Sequence, residues 1–152
     1  MTSQPVEILL VEDNEDDVVI IQDAFVESRW VNVLNTVSDG EEALAYLRRE
    51  GKYNEVSLPT LVLLDINMPK KNGFEVMQAM KADPRLRSLP VIMLTMSDRD
   101  EDVMRSYADG ACSYIKKPVD LNQFHMVIKQ FEWYWTMISR IPSYHAYSNR
   151  VT

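Results

Sequence analysis

Apolar and polar positions divide the chain into alternating short and long segments. Short apolar runs that end at a polar turn predict buried strands, and longer stretches with apolar residues three or four apart predict helices. Strands are predicted in this way at 6–11, 32–37, 61–65, 90–95 and 111–115. Helices are predicted at 15–28, 41–50, 72–82, 98–108 and 121–138. Strict alternation favours an α/β fold with a doubly wound, five-stranded parallel sheet, because right-handed crossovers place helices on both of its faces.

Two of the predicted helices carry signals at their ends. The first helix opens with Glu15, Asp16 and Asp17, and negative charge at that position interacts favourably with the helix dipole. Gly51 follows the second helix and predicts its end there, since glycine is favoured just beyond a helix.

The last predicted helix, 121–138, is apolar on more than one face. A surface helix of this kind usually has something covering it. We therefore predict an interface with a partner or with a second copy of the chain at its aromatic-rich end, formed by Phe131, Trp133, Tyr134, Trp135 and Met137. Pro142 ends this helix, so we expect a single domain over 1–141 and a polar tail over 142–152.

Composition narrows the class of protein. The 152 residues carry a net charge of −7, which argues against nonspecific binding to nucleic acid. No apolar stretch reaches the length of a membrane span, and the first residues do not resemble a secretory signal. Cys112 is the single cysteine, so the chain forms no internal disulfide and we expect a cytoplasmic protein.

Acidic residues stand where two of the predicted strands end. Glu12 and Asp13 follow the first strand, and Asp65 ends the third. Because parallel strands finish at one edge of a sheet, where open α/β folds place their sites, these three carboxylates should lie together. Carboxylates so close repel one another, and each should have a raised pKa unless a cation lies among them.

Two further polar residues should reach the same edge. Thr95 ends the fourth strand and Lys117 follows the fifth. The set suits phosphorylation of Asp65, whose carboxylate is a competent nucleophile that forms an acyl phosphate. Mg²⁺, bound by Glu12, Asp13, Asp65 and a main-chain carbonyl, would offset the repulsion between the anions. Lys117 could pair with one phosphoryl oxygen, and Thr95 could donate a hydrogen bond to another.

These residues, in this order, closely resemble the receiver domain of bacterial two-component response regulators. The matching motifs are Val11-Glu12-Asp13-Asn14, Leu64-Asp65-Ile66-Asn67-Met68-Pro69 with Gly73, Leu94-Thr95, and Tyr114-Ile115-Lys116-Lys117-Pro118. The resemblance spans about residues 6–130 and implies a flavodoxin-like (βα)5 fold. It also implies that Asp65 accepts a phosphoryl group from the histidine of a sensor kinase.

The same resemblance assigns roles to single residues. Glu12 and Asp13 would bind Mg²⁺ together with Asp65 and the main-chain carbonyl of Asn67, and Mn²⁺ could take its place. Thr95 and Lys117 would hold the phosphoryl group. Phosphorylation would draw Thr95 inward and let the switch aromatic Tyr114 turn, which repacks the face formed by 98–138.

A narrower resemblance points to regulators paired with phytochrome-type sensor kinases. It rests on Glu41-Glu42-Ala43-Leu44-Ala45-Tyr46-Leu47-Arg48-Arg49, on Lys81-Ala82-Asp83-Pro84 and on the aromatic run 131–135. It implies a stand-alone receiver without an output domain, often a homodimer. The chain departs from the common receiver pattern at Met96, where a small residue is usual, and we predict that this side chain narrows access to Asp65.

Three alternatives use a related fold or site. A phosphatase of the haloacid-dehalogenase type needs a second aspartate two residues after the nucleophile, where this chain has Asn67, and an amide cannot exchange the proton. A flavodoxin-like cofactor module needs a phosphate-binding loop after the first strand, where the acidic run 12–17 would repel a phosphate. A pseudo-receiver that binds partners without phosphorylation would not need the intact acid set.

Overall fold

Five parallel strands form one sheet in the computed structural model, in the order β2-β1-β3-β4-β5. The structure describes residues 6–26, 31–68, 70–96, 112–120, 122–123 and 126. The strands are β1 (Val6–Val11), β2 (Val31–Val37), β3 (Leu61–Asp65), β4 (Val91–Thr95) and β5 (Cys112–Lys116). The helices are α1 (Glu15–Val26), α2 (Gly40–Arg48) and α3 (Gly73–Ala82), with a 3-10 turn at Gly51–Tyr53. The predicted α/β fold with a five-stranded parallel sheet is confirmed.

Each strand contributes to two cores because neighbouring side chains point to opposite faces of the sheet. Leu9 and Leu64 pack on one face with α2 and α3. Ile8 and Leu63 pack on the other face with Ile21 of α1. Each such buried aliphatic side chain contributes about 1.5–3 kcal/mol to folding. Helices therefore cover both faces among the described residues, as the doubly wound prediction requires.

The end of α2 differs from the prediction. The helix stops at Arg48, and Arg49 takes the left-handed conformation, with φ 57°, that closes it. Gly51, which was predicted to end the helix, instead begins the 3-10 turn. The Arg49 N–H donates to the Tyr46 carbonyl, and the Glu50 N–H donates to the Ala45 carbonyl. These bonds satisfy the last carbonyls of the helix, although the left-handed residue that ends it is not glycine.

The helix that follows β3 begins close to the end of that strand. Asn72 caps α3 with a reciprocal pair of hydrogen bonds to Glu75, which fixes where the helix starts. A β-carbon on Gly73 would lie 2.5 Å from the carbonyl oxygen of Asp65 and 2.8 Å from the α-carbon of Ile66. Only glycine allows the helix to approach the strand end this closely.

Several predictions fall on residues that the structure does not describe. They are the helix at 98–108, nearly all of the helix at 121–138, the proposed interface residues and the tail at 142–152. Within the described parts of the chain, no helix has the length and apolar character needed to cross a bilayer.

Candidate functional site

The register of the sheet brings the predicted site residues to one edge. Val11 pairs with Leu64 across β1 and β3, which places Glu12 beside Asp65. Thr95 pairs with Lys116 across β4 and β5, and the Lys117 amide N–H donates to the Thr95 carbonyl at 2.8 Å. Glu12, Asp65 and Thr95 are the buried polar side chains among the residues that the structure describes.

The Lys117 ammonium lies among three carboxylates. Its Nζ is 2.6 Å from Glu12 Oε1, 3.1 Å from Asp17 Oδ2 and 3.2 Å from Asp65 Oδ1. Only 8% of the Lys117 side chain is exposed, so water screens these interactions little. Lys117 thus offsets part of the negative charge of this cluster of acids.

A second cation would also fit the cluster. Glu12, Asp13 and Asp65 each offer a carboxylate oxygen, and these oxygens lie within 4.8 Å of one another. Asp13 is exposed whereas the other two are buried, so the group has one side open to solvent. Carboxylate oxygens from three residues match the preference of Mg²⁺ and Mn²⁺ for oxygen ligands.

Backbone groups orient the two buried acids. The Asn14 N–H donates to Glu12 Oε2 at 3.3 Å, and the Asn67 N–H donates to Asp65 Oδ1 at 3.4 Å. The Asn67 backbone therefore lies beside the Asp65 carboxylate. The use of its carbonyl as a metal ligand stays a prediction.

Burial and charge act in opposition on the two central groups. Burial raises the pKa of the Glu12 carboxyl, and although Lys117 opposes the shift, Asp65 adds to it, which gives a pKa of about 7. Burial alone would lower the pKa of the Lys117 ammonium, but the hydrogen bond to Glu12 and the charge of Asp65 outweigh it, so that pKa is raised. Lys117 is therefore charged at neutral pH, while Glu12 can gain or lose a proton there.

The remaining predicted residues lie around this centre. Thr95 is fully buried, and Tyr114 is half-buried against the core shared with α2 and α3. Met96, directly after Thr95, is 63% exposed. The roles of Thr95 as a sensing residue, Tyr114 as a switch aromatic and Met96 as an access residue stay predictions.

Sequence reasoning missed the contact of Asp17 with Lys117. The helix dipole alone accounts for acids in the first turn of α1, so the sequence does not mark Asp17 as a site residue. Asp17 and Lys117 are 100 positions apart in the chain. The position of Asp17 in the sequence could have indicated this contact. Asp17 lies in the first turn of the helix that follows β1, so its side chain can reach the edge of the sheet where β1 ends.

The sequence matches the response regulator receiver domain family over residues 8–129. The chain belongs to this family, whose members act as phosphoacceptors in two-component signalling and interact with sensor histidine kinases. This membership removes the phosphatase and the flavodoxin-like cofactor module as alternatives.

Two curated relatives match most of the chain. The probable methanogenesis regulatory protein FilR2 of Methanothrix harundinacea is 38% identical over 91% of this chain and 88% of its own length. The response regulator Rcp1 of Synechocystis is 34% identical over 93% of this chain and 97% of its own length.

Solved structures give a similar result. A bacteriophytochrome response regulator, RtBRR, has a TM-score of 0.77 and 41% identity, with 84% of this chain and 78% of that chain covered. The phosphorylated cyanobacterial phytochrome response regulator RcpA has a TM-score of 0.70 and 42% identity, with coverages of 88% and 95%. The Mn²⁺-bound form of Rcp1 has a TM-score of 0.67 and 36% identity, with coverages of 86% and 94%. The predicted relation to phytochrome-associated regulators is confirmed.

Proposed function

We propose that Asp65 accepts a phosphoryl group from a phosphorylated histidine of a sensor kinase, in a reaction that requires Mg²⁺. The observation that carries the proposal is the position of Asp65. Its buried carboxylate lies 3.2 Å from the Lys117 ammonium and within 4.8 Å of carboxylate oxygens of Glu12 and Asp13. The proposed nucleophile therefore lies next to both a cation and the proposed metal ligands.

The chemistry follows from these positions. A carboxylate oxygen of Asp65 forms a bond to phosphorus while the bond from phosphorus to the histidine nitrogen breaks, and the product is an acyl phosphate. Bound Mg²⁺, held by Glu12, Asp13, Asp65 and the Asn67 carbonyl, would neutralise charge on the phosphoryl oxygens. Lys117 binds one phosphoryl oxygen, and Thr95 donates a hydrogen bond to another. Tyr114 then turns toward the space that Thr95 leaves.

A direct test uses a small phosphoryl donor. We expect intact-protein mass spectrometry after incubation with acetyl phosphate and Mg²⁺ to show one added phosphoryl group, and EDTA to prevent the addition. If acetyl phosphate and the purified kinase both gave no adduct, the proposal would fail. A pseudo-receiver that binds partners without phosphorylation would then remain.

We further propose that the kinase is a phytochrome. RtBRR is named a bacteriophytochrome response regulator and RcpA a phytochrome response regulator. The surface motifs of α2 and α3 also resemble that subgroup. FilR2, a relative of similar sequence identity, is named a probable methanogenesis regulatory protein and not a phytochrome response regulator, so identity alone does not select the kinase. Transfer from a phosphorylated phytochrome kinase should therefore be compared with transfer from an unrelated histidine kinase, and equal rates would contradict the phytochrome assignment.

Magnesium binding should weaken as the pH falls. The pKa of Glu12 is raised to about 7, chiefly by burial, and a metal must displace the proton that Glu12 binds below that value. The protonated fraction of a group with this pKa implies an affinity for Mg²⁺ about tenfold weaker at about pH 6 than at about pH 8. Calorimetric titration with MgCl₂ measures it, and Glu12→Gln serves as the control that should lose the dependence. Equal affinities at both pH values would contradict the assignment of Glu12.

Met96 should control the rates of phosphoryl entry and loss. Its exposed side chain follows Thr95 at the edge that holds Asp65. Met96→Ala opens this edge, and we expect phosphorylation by acetyl phosphate and hydrolysis of the acyl phosphate to quicken by about threefold, which is roughly 0.6 kcal/mol in each barrier. Met126, which is also exposed, provides a matched Met→Ala control. Unaltered rates in Met96→Ala would refute the access role.

We also propose that the aromatic end of the last predicted helix, residues 131–137, forms a homodimer whose strength responds to phosphorylation. The support is the density of large apolar residues there and the family switch, which repacks the face that includes this helix. Sedimentation analysis of the protein with and without Mg²⁺ and acetyl phosphate should give different dimer dissociation constants. The same constant for both forms would contradict the link between phosphorylation and dimerisation.

A further inference from the structure

Asp17 is a fourth acid at the site that belongs neither to the proposed metal ligands nor to the phosphoacceptor. Its Oδ2 lies 3.1 Å from Lys117 Nζ, and 29% of its side chain is exposed. The position of Asp17 is fixed by α1, because its amide N–H donates to Asn14 Oδ1 at 3.0 Å. Asp17 therefore holds the ammonium from the side of the helix.

Three carboxylates compete for the Lys117 ammonium. An ammonium group carries three N–H donors, and Glu12, Asp17 and Asp65 supply three separate carboxylates within 3.2 Å. When Asp65 is phosphorylated, a phosphoryl oxygen must take over a donor from this group. Glu12 is then engaged by the metal under the proposed function. Within the described part of the chain, Lys117 is the cation that pairs with Asp17, and Asp17 continues to compete for its ammonium.

We propose that Asp17 is a positioning residue. Its carboxylate holds the Lys117 ammonium toward α1 and so weakens the ion pair between Lys117 and the phosphoryl group at Asp65. Two effects of Asp17 both weaken the binding of the phosphoryl group. Asp17 shares the positive charge of Lys117, and its own negative charge repels the phosphoryl group that arrives at Asp65. The inference rests on the proposed function, since it concerns the phosphorylated state of that site.

The test measures an equilibrium at the site. Beryllofluoride adds to a carboxylate oxygen and imitates a phosphoryl group, so its affinity for the full chain in saturating Mg²⁺ can be measured by calorimetry. Asp17→Asn removes the charge but keeps the backbone N–H that Asn14 caps. We expect this variant to bind beryllofluoride about three- to tenfold more tightly than the original protein. The effect is moderate because the Asp17 charge is partly screened by water, whereas the Lys117 ammonium beside it is buried.

Matched variants separate charge at this position from other effects. Asp16 is exposed in the same helical turn, so Asp16→Asn makes the same change in net charge and in the helix dipole, and its affinity should change less than about twofold. Asp17→Glu keeps the charge and should restore the original affinity. Thermal unfolding confirms that each variant is folded.

The outcomes are distinct. If Asp17→Asn bound beryllofluoride no more tightly than the original protein, the inference would be overturned while the proposed function stood. Weaker binding would also overturn it, because Asp17 would then orient Lys117 for the phosphoryl group. Equal gains in Asp17→Asn and Asp17→Glu would overturn the role of charge. If the original protein bound no beryllofluoride in Mg²⁺, the inference would be overturned, whereas the proposed function fails only if acetyl phosphate and the kinase also give no adduct.

Discussion

Asp65→Asn should abolish phosphoryl uptake while leaving the protein folded. An amide is not a nucleophile toward phosphorus, so no acyl phosphate can form at this position. The fold should survive because Lys117 keeps its contacts with Glu12 at 2.6 Å and Asp17 at 3.1 Å, and the substitution removes one of several repelling charges. Mass spectrometry after treatment with acetyl phosphate and Mg²⁺ should show no adduct.

The control for this substitution is Asp23→Asn, which makes the same chemical change at an exposed position of α1. That variant should take up one phosphoryl group at the original rate. Uptake by Asp65→Asn would mean that another residue accepts the phosphoryl group.

Lys117→Met should strongly destabilise the metal-free protein. The substitution leaves the buried carboxylates of Glu12 and Asp65 without their cation, and removing one partner of a buried ion pair costs about 3–5 kcal/mol. Lys52→Met is the matched control, because Lys52 pairs with Glu42 from a side chain that is 75% exposed. That change should cost less than about 1 kcal/mol. Denaturant unfolding in EDTA measures both, and equal losses would contradict a buried role for Lys117.

The cost of Lys117→Met should also depend on pH in a defined direction. The folded pKa of Glu12 is already raised, chiefly by burial, and loss of the ammonium removes the influence that lowers it. A carboxyl group with a higher pKa in the folded state binds more protons there than in the unfolded chain, so the free energy of unfolding falls as the pH rises. The deficit should therefore be larger at about pH 8 than at about pH 5. A deficit that does not change with pH would show that the carboxylates are not its cause.

The sheet and its acidic edge could be predicted because their causes are local. The run from Leu61 to Leu64 is fully buried in the structure, and such a run forms a strand in any parallel sheet that is covered on both faces. Because parallel strands end at one edge, the placement of Glu12, Asp65, Thr95 and Lys117 follows from strand order.

Two features could not be predicted because their causes are tertiary or specific to one conformation. The end of α2 depends on Arg49 adopting a left-handed conformation that sequence rules assign to glycine. The contact of Asp17 with Lys117 depends on how α1 rests against the edge of the sheet. The helix dipole is a sufficient local explanation for an acid in the first turn of a helix. For this reason the sequence gives no separate indication that Asp17 belongs to the site.

The central claim is that Asp65 carries the phosphoryl group, and chemical trapping tests it most directly. Borohydride reduces an acyl phosphate to an alcohol and so converts a phosphorylated aspartate to homoserine. The protein would be treated with acetyl phosphate and Mg²⁺, reduced, digested and mapped by mass spectrometry. We predict homoserine at position 65 in the peptide that contains Leu64 and Ile66, and unmodified aspartate there when EDTA is present. Homoserine at position 13 or 17 instead, with Asp65 unmodified, would contradict the account.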